Sequence, residues 1–492
     1  MKTNNKKSVV SVFKKASATR CVALMAGIII SVAGAASAQT FVPCPTIPGG
    51  TWSPSGNPYI ISCNTTLSAG QTLTIQPGVV VEIGSGITLT INGTINAIGT
   101  PSQHVEFQAP VESQFWNTIS ITTPGVTSSF EFCDFQNATN ALSLILNGGY
   151  TSQSATIYND TFSNCVSAAI SLYSAPNAAC CSYANGTVYN NATIKNCIFA
   201  ECGNGCSVYF SGVSLAGCGC GGDSTVYSTL IIENNIFENL TGTAFLMQIG
   251  NEAVYANPNF YNNTLVNCRN GVIGVDPINT TVENNIFVGC SNAMSDSGSL
   301  TRTVSYNCFY QNATNFTGYN NSIYGVPIIT NTNGTPCDLV RNIYVNPLFS
   351  PTSNYYLQKN SPCIDAGTPD WNYTDLCITN GASQGTSLPD LGAYGGPDAC
   401  NWLTTVPVLP TQLSMTKSNS LLWLTFGAIP RSTYQVYYIP TNFNSTAGTN
   451  RWLTNTTLIP SAKPVSIAVS AYPPTNKDTF YRVKSLGRVP GN

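Results

Sequence analysis

An almost wholly β protein, built as a stacked parallel solenoid, is the fold class this sequence predicts. One observation is a recurring phrase: apolar, any residue, Asn, Asn, any residue, Phe, two polar residues, Cys. It reads Ile157-Tyr-Asn-Asp-Thr-Phe-Ser-Asn-Cys165, Ile194-Lys-Asn-Cys-Ile-Phe-Ala-Glu-Cys202 and Ile232-Glu-Asn-Asn-Ile-Phe-Glu-Asn-Leu240. It returns as Phe260-Tyr-Asn-Asn-Thr-Leu-Val-Asn-Cys268 and Val282-Glu-Asn-Asn-Ile-Phe-Val-Gly-Cys290, after a degenerate copy at Phe130–Ala138. Near-periodic self-similarity marks an architecture in which each copy buries its apolar face against its neighbours. A second observation is strict apolar/polar alternation over residues 59–107, with no helical period. A third is composition: charged residues are 8% of the chain, and helix formers are scarce.

Residues 1–38 read as an export leader. Lys2, Lys6, Lys7, Lys14, Lys15 and Arg20 form a basic start, the stretch from Val22 to Ala35 is apolar, and Ala36-Ser37-Ala38 is a small-residue cleavage pattern. That stretch is too short and glycine-broken to span a bilayer, and no later apolar run of about 18 residues exists. The mature chain is therefore expected to be secreted or displayed at a cell surface, not membrane-spanning, and monomeric. Without the leader it carries 13 basic and 21 acidic residues. Residues 39–400 hold five basic against 20 acidic side chains, and residues 401–492 eight basic against one acidic. An acidic body excludes the phosphate neutralisation on which nucleic-acid binding rests.

Next along the chain come short strands such as Leu73-Thr-Ile75, Val79-Val-Val81-Glu-Ile83 and Ile87-Thr-Leu89-Thr-Ile91, separated by Pro77-Gly78, Gly84-Ser-Gly86 and Asn92-Gly93. In the repeats the Phe position falls at 135, 162, 199, 237, 265 (as Leu) and 287, in steps of 27, 37, 38, 28 and 22. A minimum near 22 is one coil of three strands and three turns, and the longer steps carry inserted loops. Coils stack about 4.8 Å apart, so equivalent residues form columns. The Phe column and the Cys165, Cys202, Cys268, Cys290 column are expected inside, and the asparagines are expected to form an amide ladder. Which Asn of each pair faces inward stays open. The residue before the pair (Glu131, Tyr158, Lys195, Glu233, Tyr261, Glu283) is polar and is expected to face solvent.

Eighteen cysteines remain after the leader, an even number in an exported chain, so disulfides are the default. Cys180, Cys181, Cys202, Cys206, Cys218 and Cys220 are a dense group of disulfide candidates, with buried ladder thiols or a metal cluster as alternatives. Val406-Pro-Val-Leu-Pro410 marks a linker, residues 401–412. Strand-like runs within residues 413–492 then suit a small β-sandwich.

The repeats resemble those of right-handed parallel β-helix proteins, the pectin-lyase-like superfamily. So does the opening from Gly50-Thr-Trp52 to Val80. The stretch Asn346-Pro-Leu-Phe349, Ser361-Pro-Cys-Ile-Asp-Ala-Gly367 and Asp390-Leu-Gly-Ala-Tyr-Gly-Gly396 resembles the closing segment (346–400) of secreted bacterial members. The Arg often found between its halves has no counterpart between Gly367 and Asp390. The resemblance implies a right-handed β-helix over residues 39–400, followed by a C-terminal module.

The resemblance also implies two chemistries, and the sequence lacks the motif of each. The lyases use a basic side chain, often with Ca²⁺, yet this helix holds five cations in a negative field. The polygalacturonase-like hydrolases use an Asp-Asp pair, and none occurs here. By the same analogy ligands lie along the strand after the Cys column, where Tyr173, Tyr209, Gln248, Glu252, Arg269 and Asp276 are the binding candidates, suited to a polysaccharide or cell-surface glycan. Asp365, Asp370 and Asp390 are candidate Ca²⁺ ligands, although Asp at turns also caps backbone N–H groups. The expected role is structural, adhesive or glycan-binding. The alternative is a carbohydrate-active enzyme, a polysaccharide lyase or glycoside hydrolase.

Overall fold

The computed structural model describes residues 39–402, apart from 112, 123–124, 126, 147–150, 176–186, 212–224, 251–253, 276–279, 297–302, 320–321, 351–354 and 379–381, together with six strands between 414 and 488. The leader, the linker from residue 403 on, and Cys180, Cys181, Cys218 and Cys220 lie outside the described residues.

Residues 40–317 form a parallel β-helix. Each coil contributes one strand to each of three parallel sheets, of eleven, eleven and ten strands. The first sheet begins with Thr40–Phe41 and Tyr59–Ile61, the second with Thr46–Ile47 and Thr65–Leu67, and the third with Gly50–Trp52 and Thr72–Ile75. Every third strand pairs, so the chain winds once per coil.

The Phe column is inside, as its spacing predicts. Phe107, Phe135, Phe162, Phe199, Phe237, Leu265, Phe287 and Phe309 sit in register on consecutive strands of the first sheet. Adjacent phenyl rings stack with centroids 4.6–5.0 Å apart, so parallel in-register pairing turns one repeated residue into an aromatic core column, interrupted at Leu265. Cys165, Cys202, Cys268 and Cys290 are buried as well.

Two of the three corners are tight. Between the third and first sheets, Asn159, Asn196, Asn234, Asn262 and Asn284 take φ of 50–60°, the left-handed region that Asn tolerates best after Gly. Between the first and second sheets, Asn164, Glu201, Asn239 and Asn267 do the same at 53–55°. The third corner, from second to third sheet, carries the inserted loops.

The second Asn of each pair is the one that faces inward. The Oδ1 atoms of Asn263, Asn285, Asn307 and Asn342 each accept the side-chain N–H and the backbone N–H of the preceding coil's Asn, at 2.8–3.1 Å. Asn235 closes onto the backbone N–H of Cys197. These buried amides thus satisfy corner backbone groups that the sheets leave unpaired.

Cys44–Cys63 and Cys377–Cys400 are disulfides. Cys202 and Cys206, candidates for disulfides or for buried ladder thiols, are buried thiols. Cys206 stands in register between Ile170 and Phe245, with no cysteine beside it, and burial pushes its pKa up to about 12. Cys202 stacks one coil above Cys165 and donates to the Ala200 carbonyl at 3.4 Å. In-register stacking holds Cβ atoms about 4.8 Å apart, more than the roughly 3.8 Å of a disulfide.

The C-terminal strands form two three-stranded antiparallel sheets. One holds Ser414–Ser418, Leu421–Thr425 and Ser466–Val469, and the other Leu453–Leu458, Ser432–Ile439 and Phe480–Arg488.

Candidate functional site

Of the three outer faces of the helix, the first is sealed by the protein itself over the coils from Ile198 to Ile286. The repeat places Ile198, Ile236, Thr264 and Ile286 in register on the outside of the first sheet, beside the inward Phe column. Apolar side chains there need a cover, and the closing segment supplies it: Ile236 packs with Ala393 and Tyr394, and Ile286 with Cys363, Ala366 and Leu391. The segment runs back along the coils, held by the first Asn of each pair. Asn284 accepts from the Thr368 N–H, and Asn262 donates to the Asp390 carbonyl. Asn234 donates to the Ala393 and Gly395 carbonyls, and Asn196 to that of Asp398.

This strap overturns the expectation that the column before the Asn pair faces solvent. Glu233 is 7% exposed, and Lys195 Nζ bridges Glu233 at 2.6 Å and Asp398 of the strap at 2.8 Å. Glu283 is half-buried and accepts from Ser305 Oγ at 2.5 Å. Burial raises its pKa above the ordinary carboxylate value, and Asp370 adds to the rise. Tyr261, between the two glutamates in register, packs its ring against Tyr373 of the strap, 4.9 Å away. Glu283 thus lies beside two phenols as a carboxyl with a raised pKa, whereas Glu233 is committed to its lysine.

The three calcium candidates all accept backbone N–H bonds, the alternative role for Asp at turns. Asp365 takes the Thr386 N–H, Asp370 the Asn372 N–H, and Asp390 those of Asp365 and Gln384. Burial raises the pKa of Asp390 to about 7, against the lowering effect of those N–H groups, and Asp375 behind it is raised for the same reason. Among the described residues no three His, Cys, Asp or Glu side chains converge as a metal site.

On the second and third sheets, outward side chains near the looped corner are exposed among the described residues. On the second sheet Tyr173, Tyr209 and Gln248 form an exposed column in register, with the two rings stacked 5.3 Å apart. Gly250 leaves room for the Tyr209 hydroxyl, which a Cβ there would meet at 3.0 Å. Arg269 is exposed but not part of this column. It precedes the strand Asn270–Val275 whose last residue pairs with Gln248, six positions and roughly 20 Å away. Glu252 and Asp276 lie outside the described residues.

Sequence reasoning missed a longer ladder across the same corner. Tyr189, Tyr227 and Tyr255 stand in register on the third sheet, exposed, with centroids 5.2 Å apart at each step. The signal was present: each lies five residues before the apolar residue that opens a repeat, Ile194, Ile232 and Phe260. No helix of the described residues is long and apolar enough to cross a membrane. No protein-family model and no curated protein matches this sequence.

Proposed function

We propose that the chain is an exported, monomeric β-helix protein of the pectin-lyase-like kind, with a leader at 1–38, a linker at 401–412 and a sandwich module at 413–492, and that it serves as a structural or adhesive glycan-binding scaffold. The observation that carries this reading is the column Tyr173–Tyr209–Gln248, two stacked rings and an amide left exposed on a sheet whose neighbour is sealed. Aromatic rings with a few hydrogen-bonding groups on a rigid frame suit sugars. The two disulfides fit an oxidising compartment. The test is a glycan array with the full mature chain, run with and without a chelator to read any calcium requirement at Asp365, Asp370 and Asp390. Binding that Tyr173→Ala/Tyr209→Ala weakens is the expected result, and an array with no hit overturns the reading.

A second reading, a lyase or glycoside hydrolase, draws on Glu283, a half-buried carboxyl with a raised pKa beside Tyr261 and Tyr373. Product analysis on a polysaccharide panel separates the two, because a scaffold releases no oligosaccharide.

A further inference from the structure

We propose that the outer face of the third sheet is a binding face for an extended, uncharged polysaccharide lying parallel to the helix axis, about one sugar ring per coil. The proposal rests on the glycan-binding reading and names the ligand class.

The ladder Tyr189–Tyr227–Tyr255 is built differently from an aromatic platform. Its rings are nearly parallel, with interplanar angles of 17°, and they cover each other's faces. What it presents is therefore a row of ring edges and phenol hydroxyls, 45%, 38% and 58% exposed, repeated once per coil. Two residues further along each strand, Asn191, Thr229 and Asn257 point to the same side, because side chains alternate across a strand. Asn191 Oδ1 accepts the Thr229 N–H at 2.7 Å, which fixes that column's orientation. The face is thus two parallel rows of hydroxyls and amides, about 6.6 Å apart, with the coil spacing as their common repeat.

A polymer crossing the axis would meet a different group at each step. One lying along the axis meets the same pair of groups at every coil, provided its own repeat is close to the coil spacing. An extended chain of equatorially linked hexoses has such a repeat, and its ring hydroxyls complement phenol and amide groups. The ligand should be uncharged because the six residues carry no charge, and because five cations against 20 anions over residues 39–400 repel a polyanion.

The test uses the full mature chain with insoluble cellulose and chitin as probes, then calorimetry with their two- to six-ring oligosaccharides. Affinity should rise with each added ring up to the length of the ladder. It should not change between low salt and about 1 M, where exposed charge contacts are screened. The triple variant Tyr189→Ser/Tyr227→Ser/Tyr255→Ser should bind about tenfold more weakly or worse. Trp371→Ser, an exposed aromatic on the strap, should bind as the parent does. The triple Tyr→Phe variant keeps the stack and removes only the hydroxyls, so loss of affinity there cannot come from unfolding. Unchanged binding in both triple variants, with loss in Tyr173→Ala/Tyr209→Ala, overturns the inference and leaves the glycan-binding reading standing. Binding only to polygalacturonate, and only at low salt, overturns the ligand class. Failure to bind any glycan overturns both.

Discussion

Two corners of the same coil carry columns of repeated residues, and the protein uses them in opposite ways. At the corner from third to first sheet, the left-handed asparagines from Asn196 to Asn284 are covered by the strap, with Glu233 buried and Lys195 half-buried beside them. At the corner from second to third sheet, tyrosines at equally regular positions stay exposed. Repetition alone does not say whether a column is for stability or for recognition. What decides is whether another segment of the chain arrives to cover it.

The comparison breaks most readily at the covered corner. Lys195→Ala should destabilise by about 3–5 kcal/mol in denaturant melts, because it removes the cation shared by two buried carboxylates, Glu233 and Asp398. A cost near zero would mean that the strap does not sit on this column in solution.

Asn263→Ala comes next. It removes the acceptor of the Asn235 backbone N–H and the donor to the Ile232 carbonyl, each stranded group costing about 1–3 kcal/mol. Asn267→Ala, at the next corner of the same coil, is exposed and should cost clearly less, which the same melts would show.

A third expected effect depends on pH. In the folded protein Asp390 holds its proton up to about 7, whereas the unfolded chain releases it near 3.8. The fold therefore carries no penalty from this group below about pH 4 and the full penalty above about pH 7. Melting temperature should fall by roughly 10 °C over that window, the equivalent of about 4 kcal/mol at about 2–4 °C per kcal/mol for a domain of this kind. Asp390→Asn should flatten the dependence.

The smallest effect belongs to the open corner. Tyr227→Ser should stay within about 0.5 kcal/mol of the parent, since its ring is at the surface. A cost of several kcal/mol would place the ladder with the Asn column, as a structural device.

Most of the helix was legible in the sequence because in-register parallel stacking converts sequence offset into position. The offsets from Phe135 to Phe287 alone place those residues in one column. The choice between Asn234 and Asn235 was not legible, since both are buried, one by its neighbours in the column and the other by the strap. Glu233 was misplaced for the same reason: its cover, Asp398, lies 165 positions further along the chain, and alternation within one repeat carries no trace of it. The Ile of Asn-Asn-Ile-Phe was the overlooked clue, an apolar residue alternating with a core Phe and so obliged to be covered from outside. Of the site candidates, Tyr173, Tyr209 and Gln248 came together because one column places them. Arg269 did not, because its position before the strand sets it at the opposite corner.

The strap also changes how the molecule comes apart. Coils that touch only their neighbours behave as a one-dimensional array, whose ends can fray without disturbing the middle. Here hydrogen bonds such as Asn234 to Gly395 and Lys195 to Asp398 span 161 and 203 residues, against 22 for a ladder bond such as Asn263 to Asn285. Coils from Asn196 to Asn284 are thus tied in parallel by one strand of chain, and none of them can peel away until the strap has left all of them. Opening of that stretch becomes a single cooperative event, while the coils before Tyr158 keep the independence of an untied stack.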